Sequence, residues 1–353
     1  MGHPMGLSLS GHVPNRPVAL SELRGKTVAV DASNLLYTFL TTLIDHRTGS
    51  LLTSPDGRVT SHLLGLFRRN AALLQAGVRP IYCFDGKSHP LKAATLAARN
   101  EIRGKAQAEH KAAVAAGDLT LARKKAAQAV VLNRDMVEDA KRLLDVLGMP
   151  WVQAACEGEA QAIHLVNNGH ADLVATTDWD ALAMGAPRVV RHFSSSENSK
   201  IPPTLVELQE ALGALGCTRE ELVCAAVLMG TDYNEGVRGI GPKKGVKLAK
   251  QYAGDVRACL RALSVEMPHA EEVYQLLLDP PANTVYSIAW GKPRRKDALA
   301  LCEKWGFTDF ETRTLLVQYD LALDPPRPKQ APVKAAGGAG ELAAPPPYTK
   351  PWF

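Results

Sequence analysis

Seven carboxylates stand where strand-like runs give way to helical ones. Asp31 closes the β-branched run Thr27–Asp31, Asp85 closes residues 80–85, and Asp178 closes residues 172–178 with Asp180 two positions on. Glu157 and Glu159 flank a glycine in Cys156-Glu-Gly-Glu-Ala, at the start of a helical pattern running to Asn167. Asp232 follows the apolar run 223–229 in Met-Gly-Thr-Asp-Tyr. Ligands of open α/β sheets bind outside the carboxyl ends of the strands, so the seven are expected to share one crevice. There they would repel by several kcal/mol per close pair at an effective dielectric of about 20. Such a cluster persists only if cations neutralise it or protons occupy it. Oxygen donors with no His or Cys among them select Mg²⁺ or Mn²⁺. Two such ions about 4 Å apart hydrolyse phosphodiesters, one generating hydroxide and both stabilising the in-line transition state. Singly, each acid has a plainer use: Asp31 could cap a helix ahead of Asn34, and Asp180 could close a turn. Seven such caps at so many strand ends is the poorer account.

A second signal is Gly236-Val-Arg-Gly-Ile-Gly-Pro-Lys-Lys-Gly. Gly239 and Gly241 permit a tight turn and close backbone approach, and Pro242 suits a first helical position. Free amides there, beside Lys243 and Lys244, suit a phosphate of duplex DNA. A plain connection between two helices is the alternative. No strand precedes the segment, and its glycine spacing fits neither a dinucleotide fingerprint nor a P-loop.

The third signal is charge. The chain of 353 residues carries a formal charge of +5, too little to name a partner. Residues 87–135 hold Lys87, Lys92, Arg99, Arg103, Lys105, Lys111, Arg123, Lys124, Lys125 and Arg134 against Glu101, Glu109, Asp118 and Asp135, so the rest of the chain is close to neutral. This Ala-rich segment reads as helices with a basic face, split near Gly117. It is either a solvated arm or a surface for the phosphate backbone.

These groups need a frame. Helical patterns at 34–44, 61–76 and 135–147, the last stopping at Gly148 with Pro150 beyond, alternate with the short strand runs. That alternation predicts an α/β fold with a mostly parallel central sheet flanked by helices. After residue 200 helices are expected at 205–212, 219–229 and 236–252, and then to about residue 323. Residues 325–351 contain eight prolines and a Gly-Gly-Ala-Gly stretch, a flexible tail. No apolar run reaches the ~18–20 residues of a membrane helix. No signal peptide opens the chain, and Gly6 stands where a myristoylation signal needs Ser or Thr. Six scattered cysteines without a C-x-x-C pair read as reduced thiols of a cytosolic or nuclear protein.

The motifs together resemble the structure-specific 5′ nucleases, and within them the archaeal flap endonucleases. The likeness spans roughly residues 1 to 320. It rests on Met1-Gly-His-Pro-Met-Gly, Val30-Asp-Ala-Ser-Asn with Tyr37, Ser61-His-Leu-Leu-Gly, Phe84-Asp-Gly-Lys with Leu91-Lys, Cys156-Glu-Gly-Glu-Ala-Gln-Ala, Thr177-Asp-Trp-Asp, Gly185-Ala-Pro-Arg, and Gly230-Thr-Asp-Tyr leading into Arg238-Gly-Ile-Gly-Pro-Lys. It implies a structure-specific 5′-flap endonuclease with 5′–3′ exonuclease activity, acting by two-metal catalysis in Okazaki fragment maturation and repair. One Mg²⁺ would be held mainly by Asp31, Asp85, Glu157 and Glu159. The other would be held by Glu159, Asp178, Asp180 and Asp232, with Mn²⁺ able to substitute. The basic segment matches the family's helical arch over the active site. Lys92 and Arg99, seven residues apart and so on one helix face, match its cations on the scissile phosphate. Tyr37 matches an aromatic that stacks on a base, while Gly2, Arg69 and Arg103 match positions near the DNA. The hairpin at Gly239–Gly241 would hold a K⁺.

The resemblance divides the chain into one nuclease domain, 1–325, and a tail, 326–353. Within the domain lie an N-terminal part (1–86), the arch (87–135), an internal part (136–232), and a helical hairpin with C-terminal helices (233–325). Trp352 and Phe353 fit the aromatic pair of a sliding-clamp peptide, although Pro346 and Thr349 replace its Gln and its hydrophobe. Branched DNA and the clamp are the implied partners of a monomer that is nucleoid-associated in an archaeon or nuclear in a eukaryote. Two features depart from the family: an insertion at residues 11–15, and Trp179 where a smaller or tyrosine-like ring is usual.

Other classes fit less well. A non-catalytic junction-binding protein leaves the acids unexplained. A single-strand-specific metal-dependent ribonuclease leaves the hairpin and the length unexplained. A glycosidase needs two carboxyls with divergent pKa values, and not a metal-sized cluster.

Overall fold

A computed structural model describes residues 7–45, 50–195 and 199–323. Gly2 and the tail with Trp352 and Phe353 lie outside them. Seven strands form one sheet: β1 (Arg16–Pro17), β2 (Thr27–Asp31), β3 (Arg79–Phe84), β4 (Trp151–Gln153), β5 (Leu173–Ala175), β6 (Arg188–Arg191) and β7 (Thr204–Glu207). Their spatial order is β1-β7-β6-β5-β2-β3-β4. β6, β5, β2, β3 and β4 run parallel, while β7 and β1 add antiparallel at one edge. From β2 the chain builds outward through β3 and β4, then returns to the other flank of β2 with β5 and β6. The order therefore reverses between β2 and β5, the place where such sheets open a crevice.

Strand alternation separates two cores. Val28, Val30, Tyr82, Phe84, Leu173 and Val190 point to one face, and Ala29, Ile81, Cys83, Val174, Val189 and Val206 to the other. The first face is covered by α1 (Ala32–Thr42), α2 (Ser61–Gln75) and α5 (Arg134–Leu147), with the late helices α13 (Arg295–Lys304) and α14 (Asp309–Leu323) behind them. Tyr319 of α14 meets Phe67 of α2 with ring centroids 5.7 Å apart. The second face is covered by α6 (Gly158–Asn167), the single turn α7 (Asp180–Ala183), α8 (Leu208–Leu215), α9 (Arg219–Met229), α10 (Pro242–Gln251), α11 (Val256–Leu263) and α12 (Ala270–Leu278). Between β3 and α5 run α3 (Ala93–Ala115) and α4 (Leu119–Ala129), joined by an ion pair of Glu109 with Lys125. Among the described residues no helix is long and apolar enough to cross a membrane.

The expected fold class is found, as are the break near Gly117 and the stop of α5 at Gly148, which is left-handed at φ 67°. Two segments differ. The sequence predicts a helix over 205–212, yet Leu205 and Val206 pair antiparallel with Val190 and Val189, and α8 starts only at Leu208. Pairing with β6 buries both residues, and this outweighs their helical spacing. Residues 236–252 turn helical only from Pro242, because Gly236 and Gly239 both hold positive φ.

His62 at the start of α2 is buried. Its ring Nε2 lies 3.2 Å from the Met136 carbonyl oxygen, and its Nδ1 has no partner. Burial lowers its pKa from 6.5 to about 4, against the pull of that carbonyl. The neutral ring thus supports the fold above pH 6.5, and the support is lost as pH falls toward 4. Stability should drop there by up to roughly 1.4 kcal/mol per pH unit for this one group. Denaturant unfolding across that window should show His62→Gln with a visibly flatter pH dependence than the parent. Parallel curves would assign the acid loss to other groups.

Candidate active site

All seven predicted acids reach the crevice at the carboxyl ends of β2, β3 and β5. Asp31 both caps α1 and joins the cluster, its Oδ1 accepting the Asn34 N–H at 3.1 Å. Capping and site membership are thus not alternatives for this residue. Asp85 follows β3, and its Oδ1 accepts the Gly158 N–H at 2.6 Å, which ties β3 to the first turn of α6. A Cβ on Gly158 would stand 2.5 Å from the Cys83 carbonyl oxygen. Only glycine allows that approach, and it is what brings Glu157 and Glu159 against β3. After β5, Asp178 Oδ1 accepts the Asp180 N–H at 3.2 Å, and Asp180 Oδ1 accepts the Leu7 N–H at 3.3 Å. Asp232 enters from the turn after α9.

Burial and mutual repulsion press the cluster toward protonation. Asp31 is pushed up to about 8, first by burial and then by Asp85, although the Asn34 N–H opposes this. Burial, and after it Asp178, Asp31 and Asp180, hold Glu159 well above the carboxylate range. Asp180 is raised likewise by burial, Asp178 and Asp232, and Asp178 by burial and Asp232. For Glu157 burial outweighs the opposing pull of Lys92.

The chain's own cations answer part of this charge. Lys92 Nζ lies 2.6 Å from Glu157 Oε2 and 3.2 Å from Asp232 Oδ2, bridging two acids. Arg99 pairs with the other oxygen of Asp232. The Lys92 and Asp232 side chains are 13% and 12% exposed, so these contacts are far less screened than a surface pair. Burial pulls the Lys92 pKa down, but Glu157 and Asp232 outweigh it and hold the ammonium charged. Among the described residues no group of three His, Cys, Asp or Glu is placed so as to hold a metal ion. The donors nevertheless suit a hard cation. All are oxygens, and Glu159 Oε1 is buried without a hydrogen-bond partner.

Reading the sequence for acids and arch cations misses one contributor. Arg191 of β6 donates to the Thr177 carbonyl at 2.7 Å, and its guanidinium lies 3.8 Å from the Trp179 ring centroid. It braces the turn between Asp178 and Asp180. The indole between two acids is the available signal, because such a ring favours a stacked cation. Among the described residues seven acids thus meet three cations, Lys92, Arg99 and Arg191.

The other expected contacts are placed as follows. Tyr37 is half-buried on α1 with the Arg103 guanidinium 5.9 Å from its ring, so α3 reaches over α1. Arg69 is buried beside the Phe193 ring at 5.4 Å and does not face solvent. Gly239 is exposed at φ 83°, and a Cβ there would meet no atom within 4 Å, which leaves room for an approaching group. Gly241 is extended, caps α10, and makes no use of a left-handed conformation. Lys243 and Lys244 are exposed.

Residues 7–106 match the XPG N-terminal domain and residues 148–232 the XPG I-region. The chain is 41% identical over 318 residues to flap endonuclease 1 of Methanothermobacter thermautotrophicus, covering 90% of this chain and 96% of that protein. It superposes on flap endonuclease-1 from Methanococcus jannaschii with a TM-score of 0.72 at 33% identity, over 90% of this chain and 99% of that one. The catalytic core of Rad2 shares the fold at 22% identity and a TM-score of 0.64, over 86% of this chain and 96% of that one.

Lys92→Ala should destabilise the metal-free protein by about 2 kcal/mol, because two buried carboxylates lose their shared partner. Adding Mg²⁺ should shrink that deficit, and Mg²⁺ should saturate at lower concentration in the variant, since a competing cation is gone. Thermal melts over a Mg²⁺ series decide this. A deficit that Mg²⁺ does not change would make Lys92 a purely structural residue.

Proposed function

Since the chain belongs to the flap endonuclease 1 family, we infer that it is a structure-specific nuclease, a hydrolase that cuts DNA at 5′ flaps. The convergence of seven acids on one crevice, answered among the described residues by three cations, carries this reading within the molecule. With every acid ionised, four negative charges would be left over, which two divalent cations would balance and which bound protons must otherwise offset. Asp31, Asp85, Glu157 and Glu159 would hold one Mg²⁺, and Glu159, Asp178, Asp180 and Asp232 the other. When bound, the ions supply a hydroxide nucleophile at neutral pH and neutralise charge on the phosphate.

The chain's own side chains do the rest. Lys92 and Arg99, released from Glu157 and Asp232 once those carboxylates are otherwise satisfied, become donors to the scissile phosphate. Their hydrogen bonds strengthen as charge grows on its oxygens. Arg191 and the Trp179 ring keep Asp178 and Asp180 in place. Tyr37 would stack on the base beside the cut, and α3 and α4 would admit the flap strand between them and Tyr37. The Gly239 turn and Lys243 and Lys244 would take duplex phosphates, with K⁺ at the hairpin. A junction binder without catalysis would gain nothing from excess buried acid, which repels DNA.

The same reading assigns the protein to replication and repair as a monomer that contacts a sliding clamp through Trp352 and Phe353. Two aromatics that follow a proline-rich sequence suit a partner pocket. Alanine at both should remove stimulation by the clamp, and a doubly substituted protein stimulated as well as the parent would place the contact elsewhere. Asp180→Ala should abolish single-turnover flap cleavage while flap binding stays within a few-fold, because the acids serve chemistry and the basic surfaces serve affinity. Equal losses of binding and cleavage would refute that division.

A further inference from the structure

Lys92 stands on a single turn, Pro90–Lys92, which joins the loop after β3 to α3. Pro90 fixes the first position of that turn, and a residue before proline is driven out of the helical region. His89 is accordingly extended, at φ −64° and ψ 141°. It takes two backbone N–H groups of the turn. Its ring Nδ1 accepts the Leu91 N–H at 3.4 Å, and its carbonyl accepts the Lys92 N–H at 3.0 Å. The same ring stands edge-on to Tyr233, with centroids 6.2 Å apart and planes at 87°. Tyr233 is buried and follows Asp232, whose Oδ2 lies 3.2 Å from Lys92 Nζ. A ring of contacts therefore closes from His89 through the turn to Lys92, across to Asp232, and back by Tyr233. Upstream, Gly86 pins the same loop. Its N–H donates to the Cys156 carbonyl at 2.6 Å, and a Cβ there would collide with the Ala154 carbonyl oxygen. Lys87 and Ser88, between the two anchors, are exposed.

We propose that His89 is the positioning residue for Lys92, setting where the ammonium stands against the scissile phosphate. The ion pairs of Lys92 hold it only while Glu157 and Asp232 have no other cation. Once those carboxylates are otherwise satisfied, the place of Lys92 rests on its turn, and the turn rests on His89. Tyr233 ties Asp232 to the same imidazole, so acid and ammonium keep one spacing. A displacement of about 1 Å at a group that meets the reacting phosphate can slow a reaction by ~100-fold. The proposal rests on the nuclease reading and deepens it by naming what aims one of its phosphate donors.

The test is single-turnover cleavage of a 5′-flap substrate in Mg²⁺, with binding of the same substrate measured in Ca²⁺, where cutting is suppressed. His89→Ala should slow cleavage by about ten- to a hundredfold and leave flap affinity unchanged. In a Lys92→Ala background the same change should slow cleavage little further, because no ammonium is left to misplace. Equal fold-losses in the two backgrounds would overturn the proposal, as would a loss of affinity large enough to account for the loss of rate. His89→Asn restores an acceptor for the Leu91 N–H and should recover most of the rate, whereas His89→Leu fills the space without one and should not. Leucine performing as well as asparagine would overturn the proposal too. His170→Ala removes a like edge contact, with Tyr286 at 5.6 Å, ahead of β5, and should leave the rate unchanged. A loss there matching that of His89→Ala would reduce the effect to general packing and sink the assignment. A parent protein that cuts no flap in Mg²⁺ would instead refute the nuclease reading itself, while additive losses in a cutting parent refute only the role given to His89.

Discussion

Uncompensated negative charge at the reversal point of the sheet is the constraint on which the rest of the site depends. Parallel strands end side by side there, and the chain loads those ends with acids that burial and repulsion drive toward protonation. A stable fold tolerates this only with bound protons, internal cations or external ones. Lys92 shows the second solution at work, bridging Glu157 and Asp232 from the root of α3. The root of α3 and the acid cluster are therefore one electrostatic unit. The residue that would meet the substrate's phosphate is the residue that holds the cluster together without it.

The acids also hold the fold. Asp31 caps α1, Asp85 fixes the start of α6, Asp178 receives the Asp180 amide, and Asp180 receives the Leu7 amide. Backbone donors therefore aim the acids before any cation arrives, so little ordering is left to binding. The cost is that substitutions here mix chemistry with stability. Amide replacements, which keep a capping oxygen, are cleaner probes than alanine.

Much of this is legible in the sequence because the informative residues sit at strand ends. Thr27–Asp31 matches its strand residue for residue, and the glycine between Glu157 and Glu159 marks the close approach that the Cys83 carbonyl requires. The seven acids are readable as types in positions, needing no knowledge of distances. What escapes the sequence depends on partners remote along the chain. The strand at Leu205 exists only because β6 lies beside it, and Arg191 matters only because it stacks on Trp179. Arg69 is expected near DNA and lies against Phe193, since a long side chain on α2 can turn inward as readily as outward. The internal cation bridge is equally hidden, because the spacing of Lys92 and Arg99 speaks to a phosphate and says nothing of Glu157 or Asp232.

Calorimetric titration of the metal-free protein with Mg²⁺, run near neutral pH in two buffers of different ionisation enthalpy, tests the central claim most directly. If buried acids hold protons until cations replace them, Mg²⁺ binding must release protons. The measured heat should then differ between the buffers, and the share of the release owed to Asp31 should fade as pH rises past about 8. Heats identical in both buffers across that range would contradict the account, because they would mean that the acids are fully ionised and at ease before any metal binds.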